Sequence, residues 1–84
     1  MSLKIEKVLI DESLVQYLSD RKLLAAYKKA KDYILERNYQ NSALKLREPK
    51  KKGIWYFRIN RQYRAHATYL DGALRIHAID NHQK

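Results

Sequence analysis

The stretch GIWYFRINRQYRAHATY, Gly53 to Tyr69, sets Arg58, Arg61, Arg64 and His66 among aromatic and β-branched residues that favour strands. Guanidinium groups stay charged and fork onto anionic oxygens, and an imidazole exchanges its proton near neutral pH. Two further histidines, His77 and His82, follow in LRIHAIDNH, and Lys50 to Lys52 precede Gly53. Together these side chains could grip an anion and move a proton beside it. Each is also an ordinary surface residue, so the chemistry depends on whether the fold gathers them.

The charge distribution favours gathering. The 84 residues carry 18 Lys+Arg against 9 Asp+Glu, a formal +9. Residues 1–42 hold eight basic and six acidic side chains, leaving +2; residues 43–84 hold ten and three, leaving +7. A basic half beside a near-neutral one is the electrostatic footprint of a nucleic-acid or acidic-protein partner. With 45% hydrophobic and 32% charged residues, the chain reads as one small globular domain over residues 1–84. Cysteine is absent, which excludes disulfides and thiolate chemistry and fits a reducing cytoplasm. No apolar run approaches the roughly 20 residues that span a bilayer, and no signal-peptide pattern opens the chain. The expected location is the cytoplasm, with no membrane partner.

The elements that must position these residues can be read from periodicity. Lys4 to Ile10 is a short β-branched run suited to an edge strand. Asp11 or Ser13 can cap a short helix through about Leu18, and Ser19 or Asp20 can cap a second. In that second helix Leu23, Tyr27, Ala30 and Ile34 recur at helical spacing, widened by Leu24 and Leu35, with Asn38 as its stop. From Ala43 the period becomes two: ALKLRE, a basic loop PKKKG, then GIWYFRIN, QYRAHATYL and ALRIHAID, with Asp71-Gly72 as a hairpin turn. The order β-α-α-β-β-β-β predicts an α+β fold: an N-terminal strand and two helices packed on one face of a mostly antiparallel sheet of four to five strands.

Register then divides the side chains. Residues paired across strands share a face, and a slip of one residue exchanges the faces. A two-residue turn at Arg61-Gln62 mixes polar and apolar residues on both faces. A three-residue turn at 61–63 pairs Ile59 with Ala65, Phe57 with Ala67 and Trp55 with Tyr69. The Asp71-Gly72 turn adds Leu74 beside Tyr69, Ile76 beside Ala67 and Ala78 beside Ala65, which completes an apolar core face. The other face carries Tyr56, Arg58, Arg64, His66, Arg75 and His77, with Lys45 and Arg47 from the preceding strand. Arg58, His66 and His77 are expected side by side on it.

Such a face suits metal-independent cleavage of RNA. The attacking 2′-hydroxyl loses a proton, the phosphorane gains negative charge, and the leaving 5′-oxygen gains a proton. Arginines stabilise the charge, a histidine moves the proton, and an aromatic stacks a displaced base. Paired carboxylates, a phosphate-binding glycine loop and a Ser-His-Asp spacing are missing, +7 nearby opposes a metal cation, and no cofactor is expected.

The same residues resemble a known family. GIWYFRINRQYR, a further strand, a DG turn and LRIHAIDNH are similar to the RelE/ParE toxin superfamily of bacterial toxin–antitoxin systems, and within it to the HigB, or plasmid maintenance killer, branch. The matches are Gly53 and Trp55, the run from Arg58-Ile59-Asn60 through Gln62-Tyr63-Arg64, and Asp80-Asn81-His82 where the branch carries Asp-Tyr-His. The likeness covers about residues 44–82. It implies a RelE-like fold and a ribosome-dependent mRNA endonuclease neutralised by a cognate antitoxin, with mRNA and ribosomal RNA as its other partners. Arg58 and Arg64 would hold the phosphate and the transition state, His82 would be the general acid or base, and Lys52 would contact RNA or ribosome. Lys45, Arg47, Tyr56, His66, Arg75 and His77 would line the RNA path. Strand pairing nominates His66 and His77 for proton transfer while the motif nominates His82, and the motif is preferred. Asn81 removes an aromatic that could stack a base, unless Tyr56 or Tyr63 replaces it. The ParE branch of the superfamily implies a different activity, inhibition of DNA gyrase, and loss of catalysis would leave an RNA-binding module.

Overall fold

The structure, a computed structural model, describes residues 4–81. Strand β1 (Lys7–Ile10) leads into helices α1 (Glu12–Asp20), α2 (Leu24–Leu35) and the short α3 (Tyr39–Ser42). Strands β2 (Lys45–Leu46), β3 (Ile54–Arg58), β4 (Tyr63–Leu70) and β5 (Ala73–Asn81) follow, with a 3₁₀ turn at Lys50–Lys52. The sheet order is β1-β5-β4-β3-β2, with β1 parallel to β5 and every other pairing antiparallel. The α+β architecture is the one the periodicity predicts. Among the described residues no helix is long and apolar enough to cross a membrane.

Helix boundaries follow local chemistry. The Asp11 carboxylate accepts from the Ser13 amide at 3.0 Å and caps α1. Ser19 and Asp20 do not cap α2; both belong to the last turn of α1, and Lys22 at φ 59° makes the break. Asn38 is likewise not the stop of α2, which ends before Arg37 at φ 61°. Its side chain instead accepts from the Asn41 amide at 3.4 Å and starts α3. The predicted stripe of α2 is correct: Leu23, Tyr27, Ala30 and Ile34 are all buried. They pack with Leu18, Phe57, Ile59, Ala65, Ala67, Leu74 and Ile76 in one core between helices and sheet.

Two turns set the register. Asp71 and Gly72, at φ 50° and 81°, form the tight hairpin between Leu70 and Ala73, a conformation that suits the aspartate–glycine pair. The Gly72 carbonyl then accepts from the amides of Glu6 at 2.7 Å and Lys7 at 3.2 Å, which brings β1 onto the sheet. The β3–β4 loop is odd in length, as predicted, but spans 60–62 rather than 61–63. Asn60 decides this: its side-chain oxygen accepts from the amides of Gln62 and Tyr63, both at 2.8 Å. Phe57 therefore pairs with Ala65, Trp55 with Ala67 and Tyr56 with His66. A shift of two residues preserves every face assignment.

The last pairing departs further. Tyr69 meets Leu74 and Ala67 meets Ile76 as expected, but a β-bulge then places Ala78, not His77, opposite His66. One extra residue exchanges the faces beyond it. Ile79 rather than Ala78 joins Ala65 at the core, and Asp80 falls opposite Arg64.

Candidate functional site

The face of the sheet turned away from the helices gathers most of the expected side chains, in rows fixed by strand pairing. Asp80, Arg64 and Arg58 form one row across β5, β4 and β3. Ala78, His66, Tyr56 and Lys45 form the next, across four strands. Arg47 extends this surface beyond Lys45, its amide donating to the Ile54 carbonyl at 2.7 Å. The row is not the predicted Arg58–His66–His77, because the bulge displaces His77 and the shorter loop moves Arg58 opposite Arg64.

Arg58 against Arg64 is an unusual cross-strand pair, since like charges directly opposite destabilise a sheet. Arg58 is exposed, while Arg64 is half-buried with its guanidinium carbon 5.5 Å from the centroid of the Tyr56 ring. The Tyr56 and His66 rings lie 6.1 Å apart and tilted by 38°. Among the described residues the one salt-bridge contact is from His66 Nε2 to Asp80 Oδ2, at 3.7 Å. That distance allows attraction between charges but exceeds a good hydrogen bond. Among the described residues, the arginines of the face thus form no salt bridge with a carboxylate.

His66 is the most constrained titratable group on this face. Its side chain retains 16% exposure against 51% for Asp80, and its Nδ1 is buried with no hydrogen-bond partner among the described residues. Burial, and then the Arg47 charge, push its pKa below the usual 6.5; Asp80 opposes this and His77 adds a smaller push in the same direction. The ring is therefore neutral at neutral pH, with Nε2 as the nitrogen beside the carboxylate.

Two adjoining clefts share Tyr56 and Arg64. One, of about 140 Å³, is lined by Ala43, Lys45, Tyr56, Arg58, Arg61 and Arg64. The other, of about 370 Å³, reaches Arg47, Glu48, His66 and Asp80. Lys52 lies outside both, in the 3₁₀ turn, beside a smaller hollow that shares Arg47 and Glu48 with the larger cleft. Arg75 sits one row away, between Leu9 and Thr68, with its charge near Asp11. His77 is exposed at the bulge. His82 lies outside the described residues. Among those described, no group of three or more His, Cys, Asp or Glu side chains is arranged to hold a metal.

The motif around Asn60 separates into structural and exposed parts. Ile59 is buried, Asn60 closes the loop, and Gln62 donates to the Asn81 side chain at 3.0 Å. Tyr63 packs edge-on against Tyr17 of α1 at 6.4 Å, on the helix side. Tyr56, not Tyr63, is therefore the aromatic available beside the arginines. Sequence reasoning missed Asp80 and Arg61 as members of the site. Asp80 could have been found: with an unbroken register it falls opposite Tyr63 on the core face, and a carboxylate there signals a bulge.

No family model matches the chain, and no curated protein matches it.

Proposed function

We propose that the protein is a metal-independent endoribonuclease of the RelE/ParE type, the toxin of a toxin–antitoxin pair, cutting mRNA on the ribosome in the cytoplasm. The observation that carries this reading is the Arg58–Arg64 pair, which makes no salt bridge among the described residues, set beside Tyr56 and a neutral, half-buried His66. Two facing guanidinium groups are costly without an anion between or above them, and a phosphodiester is an anion they can both bind.

In this mechanism Arg58 and Arg64 hold the scissile phosphate and stabilise the charge of the phosphorane. Tyr56 stacks a base drawn from its neighbours. His66 accepts the 2′-hydroxyl proton at Nε2, and Asp80, 3.7 Å away, stabilises the imidazolium so formed. The 2′-oxygen bonds to phosphorus as the bond to the 5′-oxygen breaks, leaving a 2′,3′-cyclic phosphate and a 5′-hydroxyl. His82, which the resemblance names as the general acid or base, serves here as the acid that donates a proton to that 5′-oxygen. A cognate antitoxin that covers this basic surface with acidic side chains restrains the enzyme.

Primer extension on cellular mRNA after induction tests the reading. New 5′ ends positioned within codons are expected for the wild type and absent for Arg64→Ala. Growth arrest without such ends favours the gyrase-inhibitor activity of the ParE branch. Absence of arrest and of cleavage leaves binding alone.

A further inference from the structure

A third cleft lies on the helix side of Arg58, and it is larger than either on the open face, about 480 Å³. Clefts of roughly 300–1,000 Å³ accommodate small organic ligands or parts of larger ones. The space exists because β2 pairs with β3 only at Lys45–Tyr56 and Leu46–Trp55. Ala43, at φ 57°, turns the preceding chain away from the sheet into α3. The end of β3 consequently has no neighbour on that side, and Arg58 lines the clefts on both sides of it.

The lining has a definite chemistry. Ala26, Lys29 and Tyr33 recur at positions three and four apart, so they present one face of α2. Ala26 contributes a single methyl group, which leaves the cleft open beneath Lys29 and Tyr33. Gln40 and Asn41 of α3 face them, and their side-chain amides make no hydrogen bond among the described residues. No acidic side chain lines the cleft among the described residues. Two cations, a phenol ring and two free amides are the groups that bind a nucleotide of a single strand: phosphate, base face and base edge in turn. The open-face clefts contain arginines, an imidazole and a tyrosine but no amide side chain. Of these three clefts, only the one on the helix side offers side-chain amides, which carry both donor and acceptor, to a base edge.

We infer that the α2–α3 cleft is a second nucleotide subsite, which takes the base and phosphate next beyond the two nucleotides that flank the scissile phosphate on the open face of the sheet. This rests on the reading of that face as an RNA site. The strand passes Arg58, which holds the scissile phosphate on the open face and also borders the cleft. Lys29 meets the next phosphate, Tyr33 stacks the base, and Gln40 and Asn41 read its edge. The paired donors and acceptors of Gln40 and Asn41 give this subsite a sequence preference.

Titration of the whole chain with 2′-O-methyl oligoribonucleotides of two and six nucleotides, followed by NMR chemical shifts, tests the inference; the methyl group removes the attacking hydroxyl. Lys29→Ala, Tyr33→Ala and the cleft-filling Ala26→Leu are each expected to weaken hexanucleotide binding about tenfold, the scale of one lost stacking or phosphate contact. Dinucleotide affinity should hold in all three, whereas Arg64→Ala should weaken both lengths. Lys29→Ala and Tyr33→Ala alter side chains outside the core, so they remain informative if Ala26→Leu unfolds the chain. Unchanged hexanucleotide affinity in the cleft variants, with Arg64→Ala impaired, overturns the second subsite and leaves the open-face site standing. Loss of dinucleotide affinity in the cleft variants overturns the separation of two subsites. Unaltered binding in Arg64→Ala overturns the open-face reading and this inference with it.

Discussion

The two faces of the β3–β4–β5 sheet are built from alternate residues of the same strands, yet they obey different rules. On the helix side Phe57, Ala65, Ala67, Leu74 and Ile76 are all at most 1% exposed, and each meets an apolar partner. On the open side an arginine faces an arginine, a histidine nitrogen is buried with no hydrogen-bond partner among the described residues, and the Asp80 carboxylate lies 3.7 Å from that histidine. The first face is organised to lower the free energy of the folded chain. The second carries features that cost stability, which is where a ligand-binding function is to be sought.

The sharpest way to break this contrast is substitution on each side. Phe57→Ala, in the centre of the covered face, should cost about 3–5 kcal/mol by loss of burial and cavity formation. Its denaturation midpoint in urea should fall accordingly. Asn60→Ala should cost about 1–2 kcal/mol, because two loop amides lose their shared acceptor. Arg58→Ala or Arg64→Ala should shift stability by no more than about 0.5 kcal/mol, since neither makes a salt bridge among the described residues. Either change should nevertheless weaken RNA binding and lower the slope of log affinity against log salt by about one. A covered-face substitution that spares stability, or an open-face one that spares binding, would break the contrast.

A smaller effect concerns pH. The His66 pKa is depressed in the folded chain relative to its ordinary 6.5. Above that value the ring is neutral in both folded and unfolded states, and its full contribution to stability is present. As the pH falls, the unfolded chain takes up the proton first, so stability declines until the folded-state value is passed. His66→Gln should remove this part of the slope. Comparison of thermal midpoints between about pH 7 and pH 5 for the two proteins measures it.

Much of this contrast was legible in the sequence, for a physical reason. The alternation of apolar and charged residues over 55–67 has a period of two, so an odd loop length preserves the faces whether it begins at residue 60 or 61. The buried stripe of α2 was equally plain at its helical spacing. What the pattern did not specify was the exact partner of each residue. That depended on the Asn60 side chain seizing two amides and on a bulge at His77. Both are local hydrogen-bonding outcomes that leave hydrophobic periodicity almost untouched. Asp80 entered the site through that bulge, and Lys29 and Tyr33 approached Arg58 only because Ala43 turns the chain from the sheet. Proximity of that kind comes from tertiary geometry and has no signature in spacing.

Cleavage of mRNA by the open face is the central claim, and mapping 5′ ends by primer extension after induction of wild-type and Arg64→Ala proteins addresses it most directly. The account predicts new ends at fixed positions within codons for the wild type and none for the variant, with both proteins folded to the same thermal midpoint. Wild-type-like ends in the Arg64→Ala variant, or growth arrest by the wild type with no new ends at all, would contradict it.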